Sequence, residues 1–284
     1  MRIVMPLFNF YYEDSKDFVF GDNKYSLQEF VSDEEIPQKV KEDGLSKIEA
    51  AHMKLENWAL VAEYPDLDTC KKEKHKPGIN LLLMSFKIYK LANPFIKYRL
   101  CKEDINLCSR IEETIVAEER CNILKYEDLI SINHGFMRLL EMDKVIDKTH
   151  KLSRMHNALY FLYRGFFSKH WIDSFIFLTS TLESLFSKED RGEATKTICL
   201  RVSKFLASKE GYSYKDIEKL YNIRSRLLHG NIKADFSADE NLKKLHDLEL
   251  VVIKCMREML DNKIYFIYED IEKKENYFNS LVKQ

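Results

Sequence analysis

A mainly α protein, α+β overall, is the fold class this sequence predicts, and three observations predict it. Turn-formers are scarce, with eight Gly and five Pro in 284 residues. Apolar residues recur at helical spacing through the whole second half, while the first thirty residues alternate with a period of two. With 45% apolar and 12% aromatic residues, the chain can bury one large core or two modest ones.

The N-terminal segment "IVMPLFNFYY", followed by "EDSKD" and "FVFGDNKYSLQEF", reads as two or three short strands, with Gly21-Asp22-Asn23 as a turn. From Ser32 the chain turns acidic, broken by Pro37 and Gly44. The segment "KIEAAHMKLENWALVAEYP" then predicts a helix or strand, and Trp58 to Tyr64 has the apolar density of a buried strand. The lysine-rich stretch from Asp66 to Gly78 reads as a solvated loop, since nothing shapes its charges into a phosphate cradle. Ile79 to Pro94 is an amphipathic helix that stops before proline. After a polar, partly stranded stretch to about Tyr126, "EDLISINHGFMRLLEMDK" has helical spacing, interrupted at His134-Gly135.

Five helices follow, at 151–169, 170–188, 193–209, 213–230 and 237–262. The second is apolar almost all round, as befits a central helix. The fourth opens on Ser213 as N-cap and closes on Gly230, while the fifth opens on Ser237 with Glu240 three residues later, the capping-box pattern. Short connections imply an antiparallel bundle. The tail from Lys263 is a sixth helix or a partner-contacting arm. The chain therefore divides into a smaller mixed α/β region, 1–148, and a helical bundle with its tail, 149–284.

Charges nearly cancel, 45 basic against 46 acidic, which excludes a global field drawing the protein to nucleic acid or an anionic membrane. The longest uncharged runs, such as "FIFLTSTL", fall short of a bilayer span, and the N-terminus lacks a signal-peptide cleavage site, so a cytoplasmic protein without membrane contact is expected. Cysteines 70, 101, 108, 121, 199 and 255 form no CxxC pair and no zinc-spaced motif, and are read as reduced thiols. His134, His156, His170 and His246 sit on amphipathic patterns without an arranged partner, and the aromatic richness reads as core, although "YFLYRGFF" could also stack bases.

The informative stretch is "KLYNIRSRLLHGN", Lys219 to Asn231. On an ideal helix Arg224 and His229 point about 140° apart and lie about 7.5 Å from each other along the axis, whereas Arg226 and His229 share a face. Arg224 can still swing toward a histidine where the helix unwinds at Gly230, or a second copy of the chain can bring another Arg and His to the same place. An imidazole and a guanidinium suffice for metal-free RNA cleavage by the neighbouring 2′-hydroxyl, which needs a proton acceptor, a proton donor and a cation on the crowded phosphate. Arginine's planar fork matches phosphate oxygens. The same residues also satisfy a plain helix end, with Arg224 and Arg226 opposing the negative pole and His229 capping carbonyls.

The string Tyr221, Arg224, Ser225, His229, Gly230 resembles the signature of the HEPN superfamily, specifically its Apea-like branch, which closes the fourth helix with Tyr-x-x-Arg-Ser-x-x-x-His-Gly. Two further pieces fall in order: "FIFLTSTLESLFS" resembles the family's second helix with its Glu, here Glu183, and "CLRVSKFLAS" its third with an Arg, here Arg201. The resemblance covers about residues 150 to 260. It implies a HEPN-type bundle acting as a metal-independent endoribonuclease in phage defence or a toxin-like role. His229 would be the acid/base, Arg224 the phosphate-binding cation and Ser225 an orienting group, with Tyr221 in support. Arg226, Asn231 and Lys233 would add to substrate binding. Glu183 and Arg201, on adjacent helices, are expected to form a buried structural pair. RNA as substrate, a homodimer with a composite active site and a regulatory partner protein are the partners implied, and no metal or cofactor is. The rival is a non-catalytic HEPN module binding RNA, a nucleotide or a partner protein in a defence assembly.

Overall fold

The computed structural model describes residues 1–14, 16–21, 25–30, 57–66, 68–69, 78–92, 94–96, 98–101, 109–110, 123–149, 153–168, 170–188, 194–207, 211–230 and 239–283. The fold is mainly α, α+β overall: a small, mostly antiparallel sheet near the N-terminus precedes a helical C-terminal region. Two compact units are present. The described residues up to Met137 form the first, and those from Arg138 onward the second.

In the first unit, the period-2 segments become β1 (Arg2–Phe8), β2 (Tyr11–Tyr12), β3 (Phe18–Phe20) and β4 (Tyr25–Glu29), and the apolar run is β5 (Trp58–Glu63). Strand β1 lies inside the sheet, antiparallel to β5 with Val4 opposite Val61. On its other side it pairs with β6 (Phe95–Ile96) and β7 (Tyr98–Cys101), and β8 (Ser109–Arg110) extends β7. The expected alternation does not hold in β1: after Arg2 its residues from Ile3 to Phe8 are apolar and buried in succession, because both faces of the strand are covered. Val4, Phe8, Phe30, Ala59, Val61 and Leu100 form one such cluster. Helix α1 (Gly78–Lys90) sets Phe86 against the rings of Phe10 and Phe20, at 5.8 and 5.7 Å between centroids. The predicted turn at residue 21 is met by Gly21 at φ +60, while residues 22–24 lie outside those described.

A separate two-stranded parallel ladder joins β2 to β9 (Ile123–Leu124), with Tyr11 opposite Ile123 and Tyr12 opposite Leu124. From there α2 (Tyr126–Thr149) begins, its first amide donating to Asp14 Oδ2 at 2.7 Å. The expected interruption at His134-Gly135 does not occur, and the helix runs on through both residues. The glycine is there for packing: a Cβ on it would lie 2.0 Å from Cε2 of Tyr89.

The second unit is a helical bundle: α3 (Ser153–Phe166), α4 (Trp171–Phe186), α5 (Ala194–Leu206), α6 (Tyr214–Leu228) and α7 (Asp239–Asp261). Helix α4 touches α3, α5, α6 and α7, which explains a sequence apolar nearly all round. Its Thr179, Ser180 and Thr181 hydroxyls turn back onto carbonyls three or four residues earlier and so cost the core little. Gly165 lets α3 approach closely, since a Cβ there would lie 2.8 Å from Leu178. Ser213 caps α6 in a capping box with Asp216, and Ser237 lies outside the described residues. The tail forms a 3-10 turn (Ile264–Glu269) and α8 (Ile271–Lys283), which buries Phe278 completely against Phe186 and Phe205.

Among the described residues, no helix is long and apolar enough to cross a membrane.

Candidate functional site

Helix α6 carries the Arg-His string, and its amphipathic spacing decides which residues face inward. Ile217, Leu220, Tyr221 and Ile223 are buried, while Asn222, Ser225 and Arg226 between and beyond them are exposed. Tyr221 is the inward anchor at 2% exposure, its hydroxyl donating to the carbonyl of Thr179 in α4 at 3.4 Å. Burial drives that phenol well above its ordinary pKa, and the Glu183 carboxylate adds to the effect.

Arg224, one turn further on, is half-buried and reaches α4, where Nη2 donates to Glu183 Oε2 at 3.1 Å. Its buried Nε has no hydrogen-bond partner among the described residues. The Glu183 carboxyl is held above its usual range, because burial outweighs the pull of the Arg224 guanidinium. Glu183 also sits in the last turn of α4, where a negative charge meets the helix's negative pole.

Ser225, Arg226 and His229 are exposed, and Leu228 beside them is 53% exposed. The His229 backbone occupies the sparsely populated bridge region, φ −88 and ψ 5, and its amide donates to Ser225 O at 3.0 Å. Gly230 follows at φ +69, the left-handed conformation expected of a helix-ending glycine, and donates to Leu227 O at 3.2 Å. Thus it is the backbone of His229 that closes the helix. Its imidazole and the Arg226 guanidinium have no hydrogen-bond or ion-pair partner among the described residues. Asn231 and Lys233, expected to add to substrate binding, lie outside the described residues.

The expected Glu183–Arg201 pair is not formed. Arg201, only 1% exposed, instead grips Glu275 of α8 with both terminal nitrogens, donates to Phe186 O at 3.2 Å, and lies over the Phe278 ring at 5.1 Å. The physical reason is the free C-terminal end of α4. Arg201, Lys274 and Arg154 all converge there, Lys274 on Ser187 O at 3.2 Å and Arg154 on the Ser187 hydroxyl at 2.6 Å. Burial would lift the Glu275 carboxyl, but the hydrogen bonds and charges of Arg201 and Lys274 prevail and hold it below its ordinary value. Glu275 is the partner that sequence reasoning missed. Its signal was weak but present: in "IEKKENYF" the acid falls three residues before a buried phenylalanine.

Cys101, Cys199 and Cys255 are buried thiols outside any disulfide, and burial lifts the Cys199 thiol to about 12, far from a reactive thiolate. Cysteines 70, 108 and 121 lie outside the described residues. His134, His156 and His170 are exposed, and His246 lies 4.0 Å from Glu249. Among the described residues, no group of three or more His, Cys, Asp or Glu is placed to hold a metal ion.

The site is therefore a helix end presenting two guanidiniums, a hydroxyl and an imidazole, with one guanidinium tethered to a carboxylate. No protein-family model, curated protein or solved structure matches this chain.

Proposed function

We propose that the chain is a metal-independent endoribonuclease of the HEPN type, acting as a homodimer in phage defence or a toxin-like role. One observation supports this reading above others: Arg224 is fixed by Glu183 with its buried Nε unengaged among the described residues, five residues before an exposed imidazole at His229 where the helix ends. A guanidinium pre-positioned by a carboxylate loses less freedom when it meets a phosphate. In the reaction, the 2′-hydroxyl loses its proton to a base and its oxygen bonds to phosphorus. The bond to the 5′-oxygen breaks, and that oxygen takes up a proton, leaving a 2′,3′-cyclic phosphate and a 5′-hydroxyl. His229 serves the proton transfers, Arg224 and Arg226 the charge of the crowded phosphate, and Ser225 orients one of them. Asn231 and Lys233 extend the substrate contact.

The test is incubation of labelled RNA with the protein in EDTA, wild type beside His229→Ala, with folding checked by thermal melting. Cleavage by the wild type alone is the expected result. Cleavage undiminished in the variant would reject His229 as the acid/base.

A second reading has its own observation: Glu183 already compensates the Arg224 charge. That favours a non-catalytic HEPN module binding RNA, a nucleotide or a partner protein. It predicts retained RNA binding without any product.

A further inference from the structure

The first unit holds a cavity of 740 Å³ beside the β2–β9 ladder, lined by Phe10, Tyr11, Tyr12, Trp58, Ile123 and Lys125, with Asn9, Glu13 and Asn57 at its polar margin. Such a volume suits a small organic ligand. Its walls are unusually aromatic. Tyr12 and Trp58 meet nearly at right angles, 75° at 5.0 Å between centroids, and Phe10 lies 6.3 Å from Tyr12. Two apolar side chains of the lining are open to solvent, Tyr11 at 51% and Ile123 at 66% exposure. The Tyr12 hydroxyl is buried and has no hydrogen-bond partner among the described residues.

We propose that this cavity binds an organic cation, an alkylated ammonium group carried on a short apolar stem. Aromatic faces attract cations through the ring quadrupole, and three neighbouring rings, Phe10, Tyr12 and Trp58, line this cavity. The local field has the same sign. Besides burial, the groups that push the Tyr12 phenol above its ordinary pKa are Asp14, Tyr126, Glu127 and Asp17. Lys125 is the opposing charge, but it faces Glu13 at 3.7 Å with both side chains largely exposed, so solvent and that carboxylate screen it. Lys16, a second like charge, lies outside the lining, its ammonium 5.8 Å from the Tyr126 centroid. The inference stands independently of the nuclease reading.

Calorimetric titration of the full chain tests it, with choline, a trimethyl-lysine peptide, the uncharged choline isostere 3,3-dimethylbutanol, and adenosine monophosphate as probes. At least one ammonium probe should bind about tenfold tighter than the isostere. The tighter of the two identifies a free metabolite or a modified side chain as the source. Trp58→Leu should abolish binding with the melting temperature checked, and the exposed Lys125→Ala should strengthen it by removing a like charge. Equal binding of the isostere, binding of the nucleotide alone, no binding at all, or weaker ammonium binding in Lys125→Ala would each overturn the proposal.

Discussion

Glu183 is the residue on which the helix-end site turns, because it fixes Arg224 while sitting where a negative charge is disfavoured. Burial raises its carboxyl despite the neighbouring guanidinium, so the ion pair does not fully offset desolvation. A carboxyl whose folded pKa exceeds its unfolded one binds protons more readily in the folded protein. Its favourable contribution is complete on the acid side and is lost as pH rises from the ordinary glutamate value through the raised one. Glu183→Gln removes that titration. Thermal melting across this interval should show the variant gaining on the wild type as pH rises, then a constant difference above it; a wild-type advantage that grows with pH would contradict the assignment. At this scale the helix that carries Tyr221, Arg224 and Ser225 and ends at His229 was legible from its apolar spacing and its end residues, whereas Tyr221 and Ser225 were singled out by resemblance and not by spacing. The partner of Arg201 was not, since Glu275 is 74 residues away and meets it only once the tail has docked.

Helix α2 shows at the scale of elements why a local rule can mislead. An interior glycine costs helix stability, and by propensity Gly135→Ala should gain about 1 kcal/mol. The new Cβ would instead press 2.0 Å from the Tyr89 ring, and overpacking of that kind costs about 1–3 kcal/mol. Urea denaturation should therefore find Gly135→Ala less stable than wild type. Truncating the ring should relieve the clash, so that Gly135→Ala adds little or no further cost in a Tyr89→Ala background. A stabilised single variant would show that the helices can part. The bundle helices, β5 and the α6 cap were readable from helical periodicity, apolar density and capping residues, which are local signals. The parallel pairing of Tyr11 with Ile123 was not, because nothing near either residue specifies a partner so distant in the chain.

For the whole molecule, near-neutral charge means that any RNA contact must come from a local concentration of cations, such as twofold symmetry would supply by doubling Arg224 and Arg226. A composite site that takes Arg from one chain and His from the other makes a distinctive prediction. Arg224→Ala and His229→Ala, each inactive alone, should regain cleavage when mixed, because a mixed dimer contains one intact site. Failure to regain activity in dimers shown to exchange subunits would place both groups in one chain or neither in the reaction. The most direct measurement of the central claim is the chemistry of the RNA ends produced in EDTA. Attack by the 2′-hydroxyl predicts 2′,3′-cyclic phosphate and 5′-hydroxyl termini from the wild type and none from His229→Ala; 3′-hydroxyl and 5′-phosphate termini, or the same products from the variant, would contradict it.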